Sequence, residues 1–159
     1  MTQVLPTMRN GVNMDQMFGT LDAIKANPSL ATFRWRATNT WLGGSHNRST
    51  IKPFYGAGGE DTSRQVTFTA DAGEPNILLG HDEGPNPAEF LLHALAACLT
   101  TSVVYVASAR KVVLESVSST VEGDMDVQGA LGLNDQVRNG FTAIRVKFSI
   151  KAAAAPEKI

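Results

Sequence analysis

From Phe90 to Ala109 the chain carries no charged residue, no glycine and no proline. Apolar residues occupy nearly every face of a helix drawn through this run. Asn86 is a good N-cap, Pro87 suits the first helical position, and Glu89 meets the positive end of the helix dipole. Arg110 and Lys111 close the run, where cations suit a helix C-terminus. The pattern predicts one long helix, buried on most sides. A membrane span of about 20 residues has the same length and apolarity. His93, Thr100, Thr101, Ser102, Ser108 and the many alanines favour a covered core helix instead.

The remaining segments read mostly as strands. Asp15 to Ala26 has helical spacing through Met17, Phe18, Leu21 and Ile24 and stops at Asn27-Pro28, so the first thirty residues form an amphipathic extension. Thr32 to Trp41 is extended and interrupted at Asn39. A turn follows at Gly43-Gly44-Ser45-His46-Asn47, and Arg48 to Tyr55 resumes the strand. Gly56 to Ser63 reads as a loop, Gln65 to Ala70 as a third strand, and Asp71 to Gly84 as another loop. After the helix, Val112 to Val127 puts Val113, Val117, Val121, Met125 and Val127 on one face. Asn139-Gly140 is a strong turn signal, and Phe141 to Lys151 alternates through Ile144, Val146, Phe148 and Ile150.

Strands in runs on either side of one helix predict an α+β fold with a mostly antiparallel sheet. Residues 1–30 are the extension and residues 31–159 the main domain. Ala152 to Ile159 looks like the start of a further helix, with Pro156 in its first turn. An apolar helix of this kind needs a cover. Either a lost C-terminal segment or a second subunit supplies it, and a dimer is expected in both cases.

Size and charge narrow the function classes. A chain of 159 residues is expected to form one domain with a substantial core. The net charge of -1 steers it toward neither nucleic acid nor an acidic membrane. The N-terminus, Met1-Thr2-Gln3-Val4, shows no secretion signal. With a single cysteine, this fits a reducing cytoplasm.

That cysteine, Cys98, sits in the middle of the apolar run. It has no partner in the chain for a disulfide. Free cysteine is commonly a small buried residue, and its alternative is a reactive thiol.

The surrounding residues resemble the OsmC / organic hydroperoxide resistance (Ohr) family. The resemblance lies in Gly84-Pro85-Asn86-Pro87, a first-turn glutamate, an Ala/Leu run and Cys98. The preceding Trp41-Leu42-Gly43-Gly44 hairpin and the two strands after the helix follow the family's order, over roughly residues 32 to 151. The resemblance implies an OsmC-like antiparallel sheet wrapped on a buried central helix, in an intertwined homodimer with active sites at the interface. It implies a peroxidatic Cys98 whose thiolate attacks the O–O bond of an organic hydroperoxide. An arginine from the first hairpin and a glutamate near the helix start help keep that cysteine ionised and orient the peroxide. A neighbouring cation lowers a thiol's pKa from about 8.5, which makes chemical sense of the arginine.

Three departures from the family pattern matter. There is no second cysteine to resolve a sulfenic acid, so an external thiol or dithiol reductant is expected. The family glutamate directly follows the Asn-Pro pair, where this chain has Ala88, and its carboxylate is Glu89. On a regular helix position 88 lies about 80° from Cys98, whereas Glu89 lies nearly opposite. Glu89 thus acts at the thiol only if the helix start is irregular; otherwise it favours the dipole. Arg48 best matches the family arginine, with Arg34, Arg36 and Arg64 as alternatives.

The histidines are scattered. His93 lies about 140° around the helix from Cys98, and His46 and His81 fall in loops. No metal-ligand spacing is present, so neither metal nor cofactor is expected. Gly56-Ala57-Gly58-Gly59-Glu60 is Gly-rich, but no Lys-Ser/Thr helix start follows it, so it is not a phosphate cradle. The expected site is therefore Cys98, Arg48 and Glu89 in a thiol-dependent peroxidase. The competing expectation is a family member without efficient peroxidase activity that binds a small apolar ligand at the dimer interface.

Overall fold

The structure, a computed structural model, describes residues 6–154. The helix start expected at Pro156 lies outside the described residues. The chain forms two compact units, one comprising Met1–Met14 with Leu91–Ile159 and the other Asp15–Phe90. The units part after Met14 and after Phe90.

The unit Asp15–Phe90, the central unit of the sequence, holds all but the first residue of α1 (Met14–Ala26), which is close to the predicted span. A short 3-10 turn over Pro28–Ala31 follows, capped by the Asn27 side chain on the Ser29 N–H. The extended segment expected from Thr32 divides into β3 (Arg34–Trp35) and β4 (Thr38–Gly43). The next divides into β5 (His46–Ile51) and β6 (Phe54–Gly56), separated by Lys52 and Pro53. Proline donates no ladder hydrogen bond, which accounts for the second break. β6 turns into β7 (Gly59–Glu60), and β8 is Phe68–Ala72. Two three-stranded antiparallel sheets result, ordered β3-β6-β7 and β4-β5-β8. The Gly-rich segment expected as a loop is thus a tight hairpin. Ala57 and Gly58 both take positive φ, 51° and 88°, as a two-residue hairpin turn requires.

The other unit holds most of α2 (Pro87–Ala109), followed by β9 (Leu114–Met125), a short α3 (Val127–Ala130) and β10 (Phe141–Ala152). β9 and β10 form one long antiparallel hairpin, Val121 opposite Val146. Val117, Val121 and Met125 are half-buried on one face of β9, whereas Val113 and Val127, expected on the same face, lie outside the strand and are exposed. Arg145 forms a bidentate ion pair with Asp124 at 2.5 and 2.8 Å. Patterning did not reveal the hairpin of β1 (Met8–Arg9) and β2 (Val12–Asn13). Its turn is bonded to the end of α2. Asn10 donates to the Ser108 hydroxyl and the Val112 carbonyl and accepts from the Leu114 N–H; Arg9 donates to the Ser108 carbonyl at 2.8 Å.

Two expectations about burial are corrected. Among the described residues the buried apolar side chains are Met14, Ala72 and Val112, not the substantial core expected. α2 is not buried on most sides. Only 6% of its most apolar stretch is buried, and Leu91, Tyr105 and Val106 stand exposed. Apolar periodicity records that a face needs cover without recording whether the same chain provides it.

Candidate functional site

In the central unit β5 and β8 pair so that Arg48 stands opposite Asp71. His46 lies two residues earlier on β5, and side chains two apart share a strand face. Asp71 Oδ1 accepts from Arg48 Nε and from His46 Nε2, each at 2.9 Å, while Oδ2 accepts from Arg48 Nη2 at 3.2 Å. The Arg48 guanidinium, and then the His46 ring, hold the Asp71 carboxyl below the usual carboxylate range. Sequence patterning places His46 in a turn and Asp71 at the head of a loop, so it brings neither to the site. The only sequence signal was the alternation of His46, Arg48 and Thr50, which becomes meaningful once β5 starts at His46.

Two of the three alternative arginines are otherwise engaged. Arg36 Nη1 and Nη2 each bond a carboxylate oxygen of Glu60 at 2.7 Å. That bond pair lowers the Glu60 pKa and raises that of Arg36. Arg64 lies over the Phe54 ring, 4.7 Å from its centre, and donates to the Lys52 carbonyl. Arg34 is an exposed residue of β3.

The end of β8 is stitched to the segment that starts α2. Gly73 donates to the Pro85 carbonyl at 3.4 Å, and Asn86 Nδ2 bonds Glu74. Gly84 packs so closely on the Asp71 carbonyl that a Cβ there would collide with backbone. At the helix start Asn86 Oδ1 accepts from the Ala88 N–H at 2.7 Å, and the Glu89 carboxylate accepts from the Asn86 N–H at 2.8 Å. This is a reciprocal capping box. The first turn is regular, and Glu89 is committed to capping it.

In the other unit Cys98 lies on α2 with its side chain exposed, against the expectation of a buried helix. Its carbonyl accepts from the Ser102 hydroxyl at 2.9 Å. A half-open cavity of about 250 Å³ begins at the next residue, Leu99. Val103, Val106, Val112, Leu114 and Ile150 make most of its wall, with Ser102 and Arg110 as polar members. His93 is exposed on α2, and His81 is exposed in the loop before it.

The structure therefore brings Arg48 together with Asp71 and His46, and Glu89 together with Asn86. Cys98 belongs to the other compact unit. Among the described residues no group of three His, Cys, Asp or Glu side chains is placed to hold a metal ion.

A family model described as OsmC-like protein matches residues 80–159, half of the chain, including the capped helix start, Cys98 and the β9–β10 hairpin. The chain belongs to the OsmC-like family. The matched region begins just ahead of Gly84-Pro85-Asn86-Pro87, so the family assignment rests on the helix that carries the thiol. The mixed architecture of one long helix and several antiparallel sheets is compatible with an OsmC-like fold. No curated protein matches the chain.

Proposed function

We propose that this OsmC-like protein is a thiol-dependent peroxidase of the organic hydroperoxide resistance type, using Cys98 as its only redox centre. The observation that carries the reading is the exposed Cys98 thiol, borne on the helix that the family model matches. The thiolate attacks the outer peroxide oxygen of ROOH. An S–O bond forms, the O–O bond breaks, and RO⁻ leaves to take up a proton as ROH. A first external thiol then converts the sulfenic acid to a mixed disulfide, releasing water. A second thiol, or the other half of a dithiol, displaces Cys98 and leaves as the oxidised reductant.

In this reading Arg48 is the cation that favours the thiolate and receives the peroxide oxygen. Glu89 serves that site indirectly, by fixing the start of the cysteine helix. A second copy of the chain covers the exposed apolar face of α2, making a homodimer. The length and apolarity of α2 would also allow it to cross a membrane. Sedimentation of the purified protein without detergent distinguishes the two, since the dimer reading requires a soluble species of twice the chain mass. A lone free cysteine fits a reducing, cytoplasmic compartment.

The deciding experiment compares the rates of Cys98 thiol loss with cumene hydroperoxide and with hydrogen peroxide. Fast loss with a strong preference for cumene hydroperoxide, together with no turnover in Cys98→Ser, is the expected result. A rate equal to that of a small free thiol would end the peroxidase reading.

One observation favours a second reading. The chain has no other cysteine to protect a sulfenic acid from over-oxidation. A family member specialised for binding would keep the apolar cavity and an ordinary, slow thiol.

A further inference from the structure

Among the described residues three arginines form two-point pairs with carboxylates, and one of them is built differently. Arg36 and Arg145 meet Glu60 and Asp124 end-on, with Nη1 and Nη2 both engaged. Arg48 meets Asp71 side-on, through Nε and Nη2. Its Nη1 has no hydrogen-bond partner among the described residues. An end-on pair occupies the outer edge of the guanidinium. A side-on pair fixes the same plane and leaves the far N–H groups directed away from the carboxylate.

The holder is itself held. Asp71 sits on a strand rather than a loop, directly opposite Arg48 in the ladder. Its Oδ1 also takes the His46 ring at 2.9 Å, so both carboxylate oxygens are occupied. Its backbone carbonyl packs on Gly84, and the neighbouring Gly73 is bonded to Pro85, immediately before the cap of the cysteine helix. Rigid elements hold functional side chains more closely than loops do.

We propose that Asp71, braced by His46, is the positioning residue of the site. It clamps Arg48 side-on, so that Nη1 remains available to a peroxide oxygen. This inference rests on the peroxidase reading, and it predicts that Asp71 acts through Arg48 rather than on the substrate.

The test uses the full chain and measures two properties. The first is the NMR order parameter of the Arg48 Nε–Hε bond, which needs no activity. It should be high in the native protein and fall to the level of a free surface arginine in Asp71→Asn. The second is kcat/KM for cumene hydroperoxide. Asp71→Asn should lower it by roughly 10- to 100-fold, the scale of a misoriented catalytic group. In an Arg48→Lys background, which already lacks the fork, the same substitution should cost less than about twofold. If Asp71→Asn does not fold, Asp71→Glu carries both measurements, since it keeps the charge but changes the reach. An unchanged Arg48 order parameter would overturn the clamp, and an additive loss in the double variant would overturn its action through Arg48. Native protein no faster than a free thiol would instead sink the peroxidase reading, leaving the order parameter to decide the clamp alone.

Discussion

Arg48 and Asp71 are cross-strand neighbours, and the β5–β8 register that pairs their backbones also brings their side chains to 2.9 Å. The pair makes stability depend on pH. Hydrogen bonds from Arg48, and secondarily His46, depress the carboxyl pKa in the folded protein. A depressed carboxylate stabilises the fold above its unfolded pKa, and this contribution is lost as pH falls through the folded value. Near neutral pH the native protein should therefore resist urea better than Asp71→Asn does. The gap between the two urea midpoints should close as pH drops below about 4, the ordinary aspartate range. A gap that persisted into strong acid would show that the ion pair is not its source.

The capping box separates two roles for Glu89. Glu89→Gln preserves a side chain able to accept from the Asn86 N–H. It should retain both stability and the rate of Cys98 oxidation. Glu89→Ala should cost about 1 kcal/mol by losing the cap, with the rate per folded molecule unchanged. Chemical denaturation alongside peroxide kinetics checks both. A rate collapse in a stable Glu89→Gln protein would make the carboxylate a participant in the chemistry.

Ser108 is wholly buried and joins the last turn of α2 to the N-terminal hairpin. Ser108→Ala leaves the Arg9 carbonyl and one Asn10 N–H without that partner, a loss of about 1–2 kcal/mol. Asn10→Ala should cost more, about 2–3 kcal/mol. It also strips the Val112 carbonyl and the Leu114 N–H, and it puts alanine at a φ of 49°. Urea titrations of the two variants test the order. Equal losses would mean that the hairpin contributes little beyond the Ser108 contact.

Gly84→Ala should be the most disruptive small substitution at the start of α2. Its new methyl group meets the backbone of Asp71 and Ala72, not the end of a flexible side chain. Relief requires moving either β8 or the lead-in to the helix, at a cost of about 1–3 kcal/mol. Hydrogen exchange should then speed up at the Gly73 amide, which bonds Pro85. An unperturbed amide would show that the close approach is not needed.

What the sequence made legible follows from how local each signal is. The cap at Asn86 and the proline at position 87 are consecutive, so the start of α2 was readable to the residue, whereas its end falls at Ala109, ahead of the Arg110-Lys111 pair expected to close it. β9 and β10 are long enough to show their period, and Asn139-Gly140 marked the turn before β10. The Arg48–Asp71–His46 cluster was not readable. Asp71-Ala72-Gly73 has turn composition, and only pairing with β5 makes its first two residues strand. β1 and β2 are too short for any period, and side chains distant in sequence bond their turn. Patterning foresaw an apolar central helix but could not say that so little of it is covered within the chain.

The bonds from Asn10 to Ser108, Val112 and Leu114 span 98 to 104 positions of sequence. A ribosome adding about 5–20 residues per second makes Asn10 wait several seconds for those partners. Asp15–Phe90 is continuous and can assemble during that interval. The hairpin of β1 and β2 therefore cannot complete its bonds until the end of α2 and the start of β9 have been made.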